Sequence, residues 1–383
     1  MNFAISAGAL PGGLTLTGAS LMGTPTQAGT FNFTVRATDS NDCSGTRAYT
    51  LTSSVVAPAL TTLTPSNLIA GSGAFTLTVN GANFVNGAII KWNGVARTTT
   101  FVSATQLTTA VAATEIRQSA LINVTVLNPA PGGGESAAQI FTVIGQLGNA
   151  SAASYSTTEF AANSITAVFG VGLATTTTAA RTVPLPTALS GTSVKVRDSA
   201  NVERLAPLFF VSPGQVSYLV PDGTAAGNAI VTITSGDGLV SSGAINVSRL
   251  APGLFAANAN GKGVAAALGL RVRDSGQQGY ESLASYDATQ RQYLSTPIDL
   301  GPPSERVFLV LFGTGIRGNT GLTAVSANLG GLTLPVTYAG AQGLVGLDQI
   351  NLLLPRSLIG RGEINLTLTV DGRVTNTVKV NIR

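Results

Sequence analysis

The chain has 383 residues, of which 44% are hydrophobic and only 10% are charged, against a norm of about 25% charged residues. Its net charge of +4 comes without a basic run or a basic–aromatic stripe, which argues against a nucleic-acid partner. The sequence has no histidine and therefore lacks both the commonest general base and the commonest metal ligand.

The composition favours strands over helices. It is rich in Gly, Thr, Ser, Ala and Val and poor in the Glu, Lys and Gln that cover exposed helices. No apolar stretch approaches the ~20 residues of a membrane span. The low-charge, Thr/Ser/Gly-rich composition predicts an extracellular bacterial protein. Cys43 can form neither an internal disulfide nor a thiolate metal site by itself, so we expect a buried or incidental thiol.

The first predicted strands lie in residues 6–52, which contain LPGGLTL, GTPTQAGTFNFTVRATDS and AYTLT. These elements and their spacing resemble the He-PIG family of Ig-like domains in bacterial surface proteins. The resemblance implies a cadherin-like β-sandwich for residues 1–57. That family has two further strands before the segment FAIS, whereas Met1 stands only two residues ahead of it, so we expect an incomplete sandwich with open edges.

The segment ATDSND at residues 37–42 has two interpretations. Asp39, Asn41 and Asp42 offer oxygen atoms that Ca²⁺ could use between Ig-like domains. The same composition is typical of an Asx-rich hairpin turn, which we favour. We therefore expect no cofactor and no required metal, with Asp39, Asn41 and Asp42 as the only candidates for Ca²⁺.

A second block covers residues 60–143. The stretches LTPSNLIAGSGAFTLTVNGANFVNGAIIKWNG, ATQLTTAV and INVTVLNP resemble the IPT/TIG domain, which implies an Ig-like fold for residues 58–144. Within this block, IIKWNGVAR at 89–97 predicts a β-hairpin with Asn93 and Gly94 at its tip.

One three-part pattern recurs along the chain: a glycine turn, a strand that begins near a glutamine, and an apolar strand 15 or 16 residues after that glutamine. The copies are NGANF, ATQLTTAV and INVTV (from 80, 104 and 122), FGVGLA, QVSYLVP and AIVTI (from 169, 215 and 229), and FGTGIR, QINLLLP and EINLTL (from 312, 349 and 363). Three copies in one order predict one repeated unit. We expect the glycines of FGVGLA and FGTGIR to permit a turn with positive φ between strands.

Alternation in the repeated strands predicts a half-buried sheet. Val216, Tyr218 and Val220 should share one face, as should Ile350, Leu352 and Leu354. The last predicted hairpin, EINLTLTVDGRVTNTVKVNI, turns at Asp371 and Gly372.

Linkers at 55–65, 145–158 and 249–263 divide the chain. The sequence therefore predicts an all-β protein of tandem Ig-like β-sandwich domains, at 1–57, 58–144, 145–250 and 251–383. The stretches APGLF, LVLFGTGIRG and YAGAQGLVGLDQINLLLPRSLIGRGE resemble the Solibacter-type C-terminal domain of secreted acidobacterial proteins over residues 148–383. That family has no assigned function.

The fourth predicted domain carries a polar insertion at about 264–303. Its tyrosines Tyr280, Tyr286 and Tyr293 are candidate ligand contacts, since loops of this kind often bind partners. The alternative is that the insertion is an elaborated hairpin that packs against its own domain. A glycosidase would need paired carboxylates, for which Asp287, Asp299 and Glu305 are the nearest candidates, but closeness in a loop is weak support.

These features predict a non-enzymatic, secreted or cell-surface structural or adhesive protein, such as a stalk or adhesin segment, whose partner is a protein or a cell-surface glycan. One alternative is a fibre subunit that polymerises head-to-tail by strand addition. Another is a glycan-binding module or glycan-active enzyme that uses residues 264–303.

Overall fold

A computed structural model describes residues 1–27, 29–53, 56–129 and 133–383. These residues form strands, turns and three short 3₁₀ helices, at Ala113–Glu115, Leu322–Ala324 and Arg356–Leu358. In this part of the chain, no helix is long and apolar enough to cross a membrane. The chain divides into two compact units, Met1–Ile144 and Gly145–Arg383.

The first unit begins with a small, open pair of sheets. Its strands are Asn2–Gly8 (β1), Leu14–Thr17 (β2), Ser20–Gly23 (β3), Gly29–Thr38 (β4) and Ser44–Ser53 (β5). Strands β1, β4 and β5 form an antiparallel sheet in that order, and β2 pairs with β3. Among the aliphatic and aromatic side chains described in residues 1–53, Pro11 and Phe33 are the two that are buried.

The rest of the first unit is a closed sandwich. Its strands are Ala59–Thr64 (β6), Asn67–Ile69 (β7), Phe75–Ala82 (β8), Ile89–Trp92 (β9), Val95–Ala96 (β10), Thr100–Ser103 (β11), Gln106–Val111 (β12), Ala120–Asn128 (β13), Gly134–Glu135 (β14) and Gln139–Gln146 (β15). One sheet has the order β11–β12–β8–β6, and the other contains β10–β9–β13–β15. Buried residues of both sheets, such as Leu77 and Phe141, form one hydrophobic cluster.

The second unit contains two hydrophobic clusters, the first of which lies within residues 160–247. The strands around it are Gly148–Ser151 (β16), Phe160–Ala161 (β17), Ile165–Phe169 (β18), Thr178–Ala179 (β19), Ala188–Leu189 (β20), Thr192–Arg197 (β21), Glu203–Leu205 (β22), Leu208–Val211 (β23), Gln215–Leu219 (β24), Gly227–Thr234 (β25) and Val240–Ser248 (β26). One sheet has the order β16–β18–β24–β23–β19, and the opposite one contains β26–β25–β21–β20.

The second cluster lies within residues 250–382. The strands around it are Gly253–Leu254 (β27), Gly263–Val264 (β28), Ala267–Val272 (β29), Gln278–Ser282 (β30), Ala284–Asp287 (β31), Gln292–Ser295 (β32), Arg306–Thr314 (β33), Val325–Leu329 (β34), Leu332–Pro335 (β35), Tyr338–Ala341 (β36), Asp348–Leu353 (β37), Gly362–Val370 (β38), Arg373–Val374 (β39) and Val378–Ile382 (β40). The two sheets have the orders β30–β29–β33–β37–β36 and β28–β40–β38–β34–β35.

This architecture confirms the all-β, Ig-like prediction. Both predicted hairpins are also present: Trp92 pairs with Val95 across Asn93 and Gly94, and Val370 pairs with Arg373 across Asp371 and Gly372. All four turn residues have positive φ, as this type of tight turn requires. The four domain boundaries proposed from the linkers stay a prediction.

The repeated pattern corresponds to a repeated strand register. The glutamine strand pairs with the glycine-turn strand in each copy, through Gln106 and Asn80, Gln215 and Phe169, and Gln349 and Phe312. In the two later copies, the predicted inward-facing residues of the glutamine strand are at most 4% exposed. The pattern therefore recurs because these strands fill equivalent places in successive sandwiches.

Glycine occurs in these turns for a second reason besides backbone conformation. The three glycines at the strand ends are Gly81, Gly170 and Gly313, and the apolar residues three positions later are Phe84, Leu173 and Ile316. A Cβ on each glycine would lie 2.6–2.8 Å from a side-chain carbon of that apolar residue. The apolar side chain therefore lies over the glycine, and at Gly81 and Gly313 a backbone carbonyl oxygen would be closer still to a Cβ, at 2.0 and 2.5 Å.

This finding corrects part of the sequence interpretation, which explained the glycines of FGVGLA and FGTGIR by positive φ. That explanation is correct for the second glycine of each motif, Gly172 and Gly315. It is wrong for the first, where close contacts with the apolar side chain and with neighbouring backbone, rather than a positive φ, disfavour a Cβ. In the earliest copy, Asn83 takes the positive φ of 63° instead of a glycine.

Candidate functional site

The polar insertion of the sequence analysis contains two kinds of structure. Strand β29 belongs to a main sheet, where it pairs with β33, and β30 extends that sheet as its outer strand. Strands β31 and β32 instead form a separate two-stranded hairpin. Tyr280 lies on β30, whereas Tyr286 and Tyr293 lie opposite each other on the hairpin. The structure thus brings two of the three predicted tyrosines together.

The hairpin is fixed at its base and along one strand. Leu283, just before β31, is 5% exposed and belongs to the hydrophobic cluster, and its carbonyl accepts a hydrogen bond from the Thr296 amide at 2.9 Å. The Asn258 side chain bonds the backbone of Tyr293 twice: it accepts from the amide at 2.7 Å and donates to the carbonyl at 2.9 Å. The Asn258 side chain thus makes the two hydrogen bonds with Tyr293 that the backbone of a neighbouring strand would otherwise make.

The two hairpin tyrosines form an exposed aromatic pair. Their ring centroids are 5.4 Å apart at an interplanar angle of 66°, an edge-to-face arrangement that aromatic pairs favour. Even so, Tyr286 remains 58% exposed and Tyr293 41% exposed.

Polar groups continue this surface. Ser295, two residues after Tyr293 on the same face of β32, donates a hydrogen bond to Glu363 at 3.4 Å. Glu363 in turn forms an ion pair with Lys379 at 2.8 Å. We call Tyr286, Tyr293, Ser295, Glu363 and Lys379 the tyrosine strip.

The three candidate carboxylates in and next to the insertion have separate structural partners. Asp287 accepts hydrogen bonds from two backbone amides in the hairpin loop. Asp299 accepts from the Gly301 amide and pairs with Arg383, and these contacts lower the pKa of its carboxyl. Glu305 pairs with Arg271 at 2.9 Å.

Arg271 is the centre of that last cluster. Its guanidinium also bonds Glu281 at 2.6 Å and the Asp299 carbonyl at 2.6 Å. The hydrogen bond to Glu281 raises the pKa of Arg271, and Glu305 adds to this effect. The arrangement balances a buried cation with two carboxylates, an ordinary structural role.

The candidate calcium segment forms the turn between β4 and β5. One carboxylate oxygen of Asp39 accepts hydrogen bonds from the amides of Asn41 and Cys43, at 2.8 and 2.9 Å, and Asp42 has a φ of 62°. Within the described residues there is no group of three or more His, Cys, Asp and Glu side chains that could hold a metal. Cys43 is exposed, which rules out the buried alternative for this thiol; an incidental thiol stays a prediction.

The two halves of the second unit, each with its own hydrophobic cluster, meet in a close joint. The buried Thr314 hydroxyl accepts a hydrogen bond from the Ile165 amide at 2.9 Å and donates one to the Gly346 carbonyl at 2.8 Å. A Cβ on Gly346 would lie 2.6 Å from Ile165 Cγ1 and 2.7 Å from Leu219 Cδ1. The halves therefore touch at Gly346 with no space for one further carbon.

Two ion pairs also join these two parts of the second unit. Glu159 forms an ion pair with Arg373, which follows the Asp371–Gly372 turn. Arg249 pairs with Asp371 at 2.5 Å and donates to the Gly318 carbonyl at 2.6 Å. The Arg249 guanidinium is the largest cause that holds the pKa of Asp371 below its usual range.

Sequence reasoning missed the joint, and it missed the buried Asp348 beside it. Asp348 accepts hydrogen bonds from the Ile316 amide at 2.7 Å and from Arg317 Nε at 2.6 Å. Burial raises the pKa of this carboxyl, against the lowering effect of the two donors. One difference between the repeats could have drawn attention to these two residues. The earlier copy, SPGQ, has Ser and Gly at the positions where the later copy, GLDQ, has Gly346 and Asp348.

Comparison with known families covers the first unit. Residues 1–54 match the family described as "Putative Ig domain" (He_PIG), and residues 58–143 match the IPT/TIG domain. Both resemblances stated from the sequence are thereby confirmed. The resemblance of residues 148–383 to the Solibacter-type domain stays a prediction.

No curated protein gives a significant match to the chain. Among solved structures, SGBP-B of the Bacteroides ovatus mixed-linkage glucan utilization locus, in complex with a mixed-linkage heptasaccharide, aligns at 13% identity over 60% of this chain and 55% of that one, with a TM-score of 0.19. A 1.5-MDa bacterial ice-binding adhesin aligns at 14% identity over 86% and 98% of the two chains, also with a TM-score of 0.19.

The Yersinia pseudotuberculosis adhesin InvE aligns at 12% identity over 50% of this chain and 58% of that one, with a TM-score of 0.19. The chain spans about half the length of the first solved structures that it matches. TM-scores of this size do not establish a common arrangement and say nothing about ligands.

Proposed function

We propose that this chain is a non-enzymatic, secreted or cell-surface bacterial protein with a structural or adhesive role, such as a stalk or an adhesin segment. The Ig-like and TIG matches of the first unit support this proposal. The composition supports it too, because a Thr- and Ser-rich, charge-poor chain suits an extracellular protein.

The observation that carries the proposal is the joint of the second unit. A stalk must keep its domains in a fixed orientation, whereas ordinary contacts between domains allow relative motion. Here a Cβ at Gly346 would clash with the other half, and the Glu159–Arg373 and Arg249–Asp371 pairs also join the two halves. We infer that residues 145–383 act as one stiff segment.

The stiffness can be measured in the full chain. Val202 and Thr333 are exposed residues on opposite sides of the joint, so each can be replaced by a spin-labelled cysteine in a Cys43→Ser background. We expect a single narrow distance distribution by double electron–electron resonance. A broad distribution would contradict a stiff stalk, and antibody labelling confined to the interior of permeabilised source cells would contradict the location.

A catalytic role has less support. A retaining or inverting glycosidase needs two carboxylates that flank one substrate bond. Asp287 instead bonds loop amides, and Asp299 and Glu305 each bond an arginine. These engagements favour a structural role for all three side chains.

One observation favours a second function, that of a self-assembling fibre subunit. The inner face of the β1–β4–β5 sheet is apolar but open, with Tyr49 43% exposed although it stacks on Phe33. Strands β1 and β5 are the edge strands of this sheet in the described part of the chain, and edge strands can recruit a further strand. A strand from a second copy of the chain would cover this face by strand addition.

Two substitutions on neighbouring residues test the fibre. Tyr49 faces inward on β5, and Ala48 faces outward. Light scattering of the full chain should show polymers that Tyr49→Glu abolishes and Ala48→Glu preserves. A monomer at high concentration, or equal effects of the two changes, would rule out assembly through this face.

A further inference from the structure

We propose that the tyrosine strip is a binding site for a neutral oligosaccharide. This inference rests on the proposed adhesive function and names the class of ligand. An exposed tyrosine ring can stack on the apolar C–H face of a pyranose, and its hydroxyl can bond to the sugar. Ser295, Glu363 and Lys379 add donors and acceptors for sugar hydroxyl groups beside the two rings.

The size of the aromatic surface favours a sugar over a protein. The exposed fractions of 58% and 41% for Tyr286 and Tyr293 together amount to about one tyrosine, roughly 200 Å². A stable protein interface buries about 800 Å² on each partner. The exposed rings therefore supply a small part of a protein interface, but they match the face of one or two sugar rings.

The charge of the strip favours a neutral ligand. The one acidic group, Glu363, is paired with the one basic group, Lys379, at 2.8 Å. The strip therefore has no net charge to attract an anionic or cationic polymer. Both side chains are 44% exposed, so their remaining hydrogen-bonding atoms are accessible.

The strip is also held in place before any ligand binds. The Asn258 side chain forms hydrogen bonds with both the amide and the carbonyl of Tyr293, and Leu283 is buried in the core at the start of the hairpin. A preorganised site loses less conformational entropy on binding than a flexible loop would. The edge-to-face contact of the rings restricts their side-chain rotation in the same way.

The test uses the full chain and a panel of neutral hexasaccharides: cellohexaose, mannohexaose, xylohexaose and maltohexaose, each measured by isothermal titration calorimetry. We expect at least one to bind, and the double variant Tyr286→Ala/Tyr293→Ala to lose at least tenfold in affinity. The double Tyr→Phe variant keeps both rings and should stay within about threefold. The matched control is Tyr280→Ala, because Tyr280 is 67% exposed but lies on β30 outside the strip.

The thermal unfolding midpoint of each variant separates binding from folding. The proposal is overturned if no hexasaccharide binds, or if the double alanine variant binds as the unchanged chain does. It is also overturned if that variant instead abolishes self-association in light scattering, since the strip would then be a contact between copies. The spin-label distances across the joint do not depend on sugar binding, so failure here leaves the stalk proposal testable separately.

Discussion

The close contact at Gly346 in the joint predicts the effect of adding one methyl group at this position. Gly346→Ala places a Cβ 2.6 Å from Ile165 Cγ1 and 2.7 Å from Leu219 Cδ1, whereas carbon atoms in contact normally lie ~3.5–4.0 Å apart. Gly346 also has a φ of +74°, which disfavours any residue with a side chain. The substitution therefore combines backbone strain with a steric clash across the joint.

A control in the same half of the unit separates the two effects. Gly360 has a φ of +77°, and a Cβ there would meet no atom within 4 Å. Gly360→Ala should therefore cost only the left-handed strain, about 1–2 kcal/mol. Gly346→Ala should cost about 1–3 kcal/mol more, the usual range for overpacking. For a unit of this size, each kcal/mol corresponds to about 2–4 °C in the unfolding midpoint.

Differential scanning calorimetry of the full chain measures this difference, and the spin-label pair at Val202 and Thr333 reports on the joint. We expect Gly346→Ala to lower the midpoint by about 2–12 °C more than Gly360→Ala and to broaden the distance distribution. Equal midpoints for the two variants would show that the contact at Gly346 does not constrain the joint, and the reasoning would be refuted.

Three further predictions concern the core, pH and catalysis. Leu352→Ala, at a buried position of β37, should destabilise the chain by about 2–5 kcal/mol. Leu353 is 41% exposed on the other face of the strand, so Leu353→Ala should destabilise it far less. Equal shifts of the urea midpoint for the two variants would contradict the assigned register. Hydrogen bonds, first from the Ala225 amide, lower the pKa of Asp198 to about 2. Since the unfolded value is about 3.9, the stability from this carboxylate is present above pH ~4 and lost as pH falls towards 2. The gap in unfolding temperature between the chain and Asp198→Asn should therefore shrink over that interval, and a constant gap would refute the assignment. Finally, Asp299→Asn should leave turnover of a glycan and ester panel unchanged, and any turnover that it abolished would establish an enzyme.

Much of the fold could be predicted from the sequence because strands and tight turns are local. Alternation of apolar and polar residues is enough to predict a half-buried strand, as at Ile350 and Leu352. The pairs Asn93–Gly94 and Asp371–Gly372 adopt positive φ readily, so they identify hairpins by themselves. The repeat was visible because equivalent core strands must present similar apolar side chains at similar spacing.

The candidate site was predictable only in part. The sequence indicated Tyr286 and Tyr293 as candidate ligand contacts in a polar, tyrosine-rich segment, but it indicated Tyr280 as an equal candidate. The strand register decides between them, because it places the first two in one cross-strand pair and the third on another strand. Glu363 and Lys379 were not candidates, since they lie in a different part of the chain and reach the strip only through Ser295.

By itself the sequence determined the all-β class, the repeated unit and the turns, because these depend on neighbours a few residues apart. Only the tertiary structure decided which face of the hairpin carries the aromatic pair and where the two halves of the second unit touch. The contact of Gly346 with Ile165 and Leu219 joins segments that are distant along the chain. No local pattern encodes such a contact, because its energy depends on how two separately formed sandwiches fit together.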